Sequence, residues 1–413
     1  MYKVAIIGAG AAGIEATKVS LYYNLKTILV DKNYDSFGGV CLNRGCIPAK
    51  YYLNSSLHSQ NLEAIYNKKN EIVESIKRPT LDYFKKKGVN VLWGRAVFLG
   101  ERKIKVDGKI VEADRFVIAS GSIPYELIPV DRKKVFFAED IFSFPSLPQK
   151  FLIVGAGAVG LEIACILNNL KKDTLVIEKE GRIIPGFDKF LSLRLKSILE
   201  RRGIKIKLND DVNNYDLDEF DMVLLATGRK PNLYGMGVEE LGLINDKGWV
   251  CVNEYLRTNI SNIYAAGDIT GNRLLAYAAE EEAQVALENI KGNKVKLDFS
   301  GLAECVFTQP QLACVGLLEE EAKKKNIKYN IVKSNFLRFS SSYVYSDTDG
   351  FIEVLFDNKE NILGAGIVSH KAAELISLFS LAIKNSLKLS QLKKLTFIHP
   401  TLSEIVSKFL KPY

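Results

Sequence analysis

Residues 3–31 read KVAIIGAGAAGIEATKVSLYYNLKTILVD, and no other stretch limits the possible folds as tightly. A short apolar run at 4–7 meets Gly8-x-Gly10-x-x-Gly13. A helical stretch follows, then a second apolar run at 27–30, then Asp31. This is the order of a strand–helix–strand dinucleotide fingerprint. The first glycine suits a tight turn, the second lets backbone approach a pyrophosphate, and the third packs helix on strand. The acid at the end can take ribose hydroxyls, and the helix N-terminus favours phosphate charge. Residues 151–178, FLIVGAGAVGLEIACILNNLKKDTLVIE, repeat the pattern with Gly155, Gly157, Gly160 and Glu178. In both copies the acid stands 23 residues after the first glycine. One such motif is weak evidence; two in the same context predict an α/β chain with two Rossmann-like dinucleotide-binding domains. Two dinucleotides in one chain point to electron transfer between them. FAD and a nicotinamide are the expected pair, because a hydride moves readily between those rings. Glu178 favours NAD over NADP, since a carboxylate there bonds a free 2′-OH and repels a 2′-phosphate; Lys179 directly after it weakens the point.

Composition narrows the class further. The chain has 413 residues, 47% hydrophobic and 25% charged, which suits two to four domains with their own cores. The net charge of +8 is spread over stretches such as FKKKG and EAKKKN, so solvated helix faces explain it better than a nucleic-acid footprint. The apolar start MYKVAIIGAG runs at once into glycine and a periodic helix, unlike a signal peptide. No run approaches the about 18 apolar residues that read as a membrane span. The expectation is a cytoplasmic protein with no nucleic-acid or membrane partner.

Six cysteines do not make a disulfide scaffold in a chain of this length. Cys165, Cys251, Cys305 and Cys314 stand alone in apolar stretches and read as small core residues. Cys41 and Cys46 differ. They lie in GGVCLNRGCIPAK, just after the first fingerprint, with four residues between them. That spacing is poor for zinc, a second half-site is missing, and histidine is scarce: His58, His370 and His399 only. A redox pair fits better, with glycines for close approach to a flat cofactor and Lys50 as a nearby positive charge. A coincidental buried pair stays open on these residues alone. Near the C-terminus, FIHPTLSE brings His399 and Glu404 five residues apart. An imidazole titrating near neutrality, with a carboxylate on its other nitrogen, can take the proton of a dithiol.

GGVCLNRGCIPAK resembles the active-site segment of the class I pyridine nucleotide–disulfide oxidoreductases of the dihydrolipoamide dehydrogenase type, which read Gly-Gly-Thr-Cys-Leu-Asn-x-Gly-Cys-Ile-Pro-Ser-Lys. The two fingerprints, ATGRKPN, YAAGD, VFTQPQLACVG and HPTLSE follow in that family's order. The resemblance implies that Cys41 is the interchange thiol and Cys46 the thiolate against the flavin. It implies that Lys50 sits near flavin N5, paired with Glu162, and that Asp268 binds the ribityl chain. Leu275, Ala276 and Tyr277 would face the pyrimidine edge, and Ala96, Ser120 and Gly121 the adenine side. With Gly8, Gly10, Gly13 and Asp31 these form the FAD set; Gly155, Gly157, Gly160, Glu162, Glu178 and Gly228 form the NAD set, and no metal is expected. His399 and Glu404 would serve the disulfide of the other subunit, so a homodimer is implied. The helix expected over residues 374–387 suits a dimer face or a core equally. The domains expected are 1–147 for FAD, 148–250 for NAD, 251–299 returning to the FAD part, and 300–413 as an α+β interface domain.

The chain departs from the family in places. Val40 stands where threonine is usual, Phe397 replaces the first histidine of His-x-His-Pro, and Gln311 replaces a usual glutamate. The segment between 208 and 221 lacks the β-meander normally found there, and the stretch after Lys50 also looks trimmed. The implied function is electron transfer between dihydrolipoamide or lipoamide and NAD(H), with lipoyl domains of a 2-oxoacid dehydrogenase complex as candidate partners. Two other readings remain: a reductase of another small disulfide, a quinone or a metal ion, and a flavoprotein subunit with a mainly structural role. The C-terminus KFLKPY lacks the cysteine pair expected of a mercuric reductase, and Glu178 speaks against a glutathione-type enzyme.

Overall fold

The computed structural model describes residues 2–411, and the chain folds as two compact units. The first holds residues 1–127, 139–147 and 227–297, and the second holds 128–138, 148–226 and 298–413. Two expected boundaries are therefore corrected. Residues 227–250 do not continue the second fingerprint's domain. Arg229–Pro231 pairs antiparallel with Ser122–Pro124, and Phe98 N donates to Met236 O at 2.9 Å, which ties that stretch to the first unit. Residues 128–138 leave the first unit because Val135–Phe137 pairs parallel with Met222–Leu225 in the second.

The sheet of the first unit is built on the first fingerprint. Tyr2–Ile7 lies parallel between Thr27–Asp31 and Lys109–Ile118, with Val4 level with Thr27 and Arg115. Asn90–Trp93 extends the sheet on one side, and Ile263–Ala265 adds to Lys109–Ile118. Ala96–Gly100 and Lys103–Val106 run antiparallel beside it. The central strands carry near-continuous apolar runs because both of their faces are covered. Val4, Ile6, Leu29 and Val117 enter one core with Ala12, Ala16 and Ala283; Ala5, Ile7, Ile28 and Ile118 enter another with Phe98 and Phe116.

The second unit contains a five-stranded parallel sheet with Lys150–Val154 at its centre. The segment expected to lack a meander forms two short turns, Val212–Asn214 and Leu217–Glu219. Asp211 and Asp216 cap them, and Val212 and Phe220 close the core. The same unit holds a five-stranded antiparallel sheet, with Ile362–Ser369 paired on both sides. Helix Ala372–Lys384 covers it, burying Leu375, Ile376 and Phe379. Leu381 is 60% exposed on the same helix, on an outer face shared with Glu374, Ser377 and Lys384. Among the described residues, no helix is long and apolar enough to cross a membrane.

Glu353 is fully buried in the strand Phe351–Phe356. Lys333 Nζ stands 3.3 Å from its Oε2, but neither oxygen accepts a hydrogen bond. Burial pushes the carboxyl up to about 7; Lys333 opposes the shift, and the charges of Asp188 and Glu319 add to it. A carboxyl held above its ordinary 4.5 binds its proton more tightly folded than unfolded. Its contribution is complete at low pH and fades as pH rises through about 7. We expect Glu353→Gln to flatten the decline of thermal stability with rising pH across this window. Melting curves on both sides of it test this, and an unchanged slope would refute it.

Candidate active site

The first fingerprint makes a turn that only glycine allows. Gly8 has φ +107°, and a Cβ on Gly13 would lie 1.8 Å from Gly8 O. Helix Ala11–Tyr22 starts at Gly10 with no side-chain cap, so its first amides have no side-chain acceptor and favour an anion. Asp31 Oδ1 accepts from Lys32 N at 2.7 Å, while Oδ2 is buried without a partner. Burial raises the Asp31 carboxyl above its ordinary value, and hydrogen bonds offset this in part. Ser120 Oγ is likewise buried and unpartnered, and Ala119 N donates to Ile7 O at 2.7 Å beside the turn. Gly94 N donates to Asp31 O at 2.8 Å, holding the chain that leads into Ala96 at the same strand end.

The cysteine segment is fastened to this turn. Gly38 N donates to Ala9 O at 2.8 Å, and Gly39 has φ +65°, with a would-be Cβ only 2.7 Å from Gly10 Cα. Asn43 Nδ2 donates to Phe37 O and Gly39 O at 3.0 and 2.8 Å, which folds the short helix Gly39–Asn43. Cys46 is the first residue of the helix Cys46–Ser55, after Gly45, a site that favours a thiolate. Cys46 is exposed and Cys41 partly buried. The Cys41 thiol is pushed far above its ordinary value by its hydrogen bond with Cys46, then by burial and by the negative charge of Cys46. Burial and the neighbouring sulfur thus disfavour a thiolate on Cys41.

Asp268 opens a short turn, Asp268–Thr270, and its Oδ2 accepts from Ser122 Oγ at 2.5 Å. Behind it, the fully buried Glu282 accepts from Gly267 N at 2.6 Å and Asn272 Nδ2 at 2.8 Å. Burial pushes Glu282 up to about 7, so a buried acid holds this turn. Helix Ala276–Lys291 begins after Leu275, which makes no side-chain cap.

In the second unit a would-be Cβ on Gly160 lies 2.0 Å from Gly155 O. Helix Ala158–Asn169 starts uncapped at Gly157, and Glu178 accepts from Ala156 N at 2.8 Å and Glu180 N at 3.0 Å. Glu162 is buried, and its Oε1 accepts from Phe307 N at 3.0 Å. Gly228 lies in the first unit, where its carbonyl accepts from Tyr125 N at 2.9 Å. His399 Nδ1 is 2.9 Å from Glu404 Oε2, which also meets Lys408 Nζ at 3.0 Å. The His399 side chain is 63% exposed and Glu404 4%. Burial alone would raise Glu404, but hydrogen bonds from His399 and Lys408 outweigh it and hold the carboxyl below its ordinary value. The result is an exposed imidazole oriented by a buried negative charge.

Pyridine nucleotide-disulphide oxidoreductases match residues 2–283, and the dimerisation domain of the same class matches residues 302–409. The chain belongs to this family. It is 31% identical to the dihydrolipoyl dehydrogenase of Chlamydia pneumoniae, over 97% of this chain and 94% of that protein. It is 29% identical to the mitochondrial dihydrolipoyl dehydrogenase of Mus musculus, over 97% and 88%. The HOCl-induced flavoprotein disulfide reductase RclA from Escherichia coli shares the fold, with TM-score 0.91, 24% identity and 99% of both chains covered. The family uses FAD and NAD(H), and the residues here fit both. Buried, unpartnered Asp31 Oδ2 and Ser120 Oγ beside the first glycine turn suit the hydroxyl donors of FAD, and Glu178 at the second turn suits NAD.

One expectation about the remaining cysteines is corrected. Cys251 is exposed rather than a core residue, because Val250 beside it takes the core position; only Cys165 is fully buried, and Cys305 and Cys314 are intermediate. Asn43 and Glu282 were missed in the sequence. Asn43 bonds backbone carbonyls, and Glu282 bonds a backbone amide along with Asn272; backbone partners have no signature in side-chain spacing. Gly39→Ala should weaken FAD binding by about ten-fold or more through strain at positive φ and the clash with Gly10. The flavin-to-protein absorbance ratio after gel filtration checks this; full occupancy would show that the turn tolerates a Cβ.

Proposed function

We propose that this protein oxidises dihydrolipoamide with NAD⁺ through the Cys41–Cys46 pair and FAD. The observation that carries the reading is the Cys41–Cys46 pair at a helix start beside the first glycine turn, together with an exposed imidazole, His399, oriented by the buried Glu404. In thiol–disulfide exchange the thiolate is the nucleophile, so a base is needed to take the thiol proton. His399, exposed and backed by Glu404, is the base we assign, acting on the pair of the other subunit of a homodimer. Identity to dihydrolipoyl dehydrogenases along almost the whole chain supports this substrate, free or on lipoyl domains of a 2-oxoacid dehydrogenase complex.

In this reading the Cys41–Cys46 disulfide is opened by a substrate thiolate at Cys41. The S–S bond breaks, a mixed disulfide forms on Cys41, and Cys46 leaves as a thiolate at its helix N-terminus. The second substrate thiol gives its proton to His399 and displaces Cys41, closing the substrate disulfide. Substrate loses two electrons, and the cysteine pair gains them. Glu404 keeps His399 oriented and stabilises the imidazolium. FAD would be held by the glycine turn with Asp31, Lys50 and Asp268, and would supply a flavin able to pass an electron pair to NAD⁺ as a hydride. Glu178 would favour NAD over NADP by accepting the free ribose hydroxyl.

His399→Gln should lower lipoamide turnover by about 10²- to 10⁴-fold while leaving flavin reduction by NADH intact. Steady-state rates and a stopped-flow NADH half-reaction separate the two effects; equal loss in both would remove the assigned role. Turnover with NADH and NADPH against lipoamide, glutathione disulfide and quinones tests the substrate itself. Preference for a disulfide other than lipoamide, or for a quinone, would replace this reading.

A further inference from the structure

Arg229, from the ATGRKPN segment, is the centre of a chain of contacts in the first unit. Its Nε donates to Ser122 Oγ at 2.7 Å, one terminal nitrogen to Ser122 O at 2.9 Å, and the other to Glu139 Oε2 at 2.7 Å. Ser122 Oγ donates in turn to Asp268 Oδ2, which lies 4.0 Å from Arg229 Nε. The antiparallel pairing of Arg229–Pro231 with Ser122–Pro124 sets this geometry. Glu139 also faces the redox segment. Its Oε1 is 3.6 Å from a guanidinium nitrogen of Arg44, whose other terminal nitrogen is 3.8 Å from Asp140 Oδ1. Arg44 lies between Cys41 and Cys46 and ends the helix Gly39–Asn43. Glu139 and Asp140 are more than nine-tenths buried at the start of the turn Ala138–Ser143.

We propose that Glu139 is a positioning residue that ties the Cys41–Cys46 segment and Asp268 to one anchor, through Arg44 on one side and Arg229 with Ser122 on the other. The proposal rests on the reading above, in which Asp268 holds FAD and Cys46 faces it. The two arms differ in strength. Arg229 makes a short charge-assisted hydrogen bond with little exposure. Arg44 is half exposed and sits at a longer distance, so its arm is the weaker. Glu139 therefore governs FAD retention mainly through Arg229, and the placement of the thiolate mainly through Arg44. Two groups that must meet the same flat cofactor are then registered against one carboxylate.

The test uses the holoenzyme of three variants: Glu139→Gln, Arg44→Met and the double variant. Two quantities are read, FAD release on dilution and the long-wavelength absorbance that appears on two-electron reduction. Arg44→Met should reduce the absorbance about two-fold with FAD affinity unchanged. Glu139→Gln should reduce the absorbance and also weaken FAD by about ten-fold. The double variant should show no further loss of absorbance beyond Glu139→Gln, because both changes cut the same link. Glu139→Asp, which keeps the charge, should restore part of both signals even if Glu139→Gln folds poorly. Additive losses in the double variant, or wild-type signals in Glu139→Gln, would overturn the shared anchor. Asp268→Asn is the control for the underlying reading. If it keeps full FAD affinity, that reading fails; if it loses FAD while Glu139→Gln is unaffected, only the anchor fails.

Discussion

The site in the first unit depends on backbone meeting backbone at glycine. A Cβ on Gly13 would strike Gly8 O, and one on Gly39 would strike Gly10 Cα. The second approach brings the first glycine turn and the cysteine segment into backbone contact. The hydrogen bond from Gly38 N to Ala9 O locks the two together. Cys46 is then presented at a helix start a short distance along the chain from Gly39, which meets the first glycine turn at Gly10. The glycine doublet at 38–39 is thus a packing requirement, and the cysteines inherit their place from it.

Charge is handled differently at each acidic group, and the differences follow from their partners. Glu404 is buried against His399 and Lys408 and stays ionised, ready to support an imidazolium. Glu282 is buried among amide and hydroxyl groups, and its carboxyl rises to about 7. Asp31 lies between these cases, with one oxygen on a backbone amide and one unpartnered. Desolvation disfavours a charge wherever no donor or cation compensates it. The same rule disfavours a thiolate on Cys41, which is also hydrogen-bonded to the other sulfur.

The fold tolerates considerable change in sequence and length. At 24% identity the chain matches RclA with a TM-score of 0.91. In place of a meander, two aspartate-capped turns put Val212 and Phe220 into the core. Gln311, in place of a usual glutamate, still accepts a backbone amide, from Ala373 N at 3.0 Å. None of these changes falls on the cysteines, His399 or Glu404.

The two glycine turns, the acids that follow them, the cysteine pair and the His399–Glu404 pair were all legible in the order of residues, because each is a local pattern whose spacing carries its chemistry. Which segments pack together, and what each polar group meets, was settled only in three dimensions. Residues 227–250 joined the first unit through a short strand pairing and separate hydrogen bonds such as Phe98 N to Met236 O, too brief to leave a periodic signal. Cys251 turned outward while its neighbour Val250 was buried, since alternation along an extended chain is set by what it packs against. The links from Arg44 to Glu139 and from Arg229 through Ser122 to Asp268 join residues far apart in the chain. Ion pairs and hydrogen bonds form wherever folding brings donors to acceptors, and sequence spacing does not encode that distance.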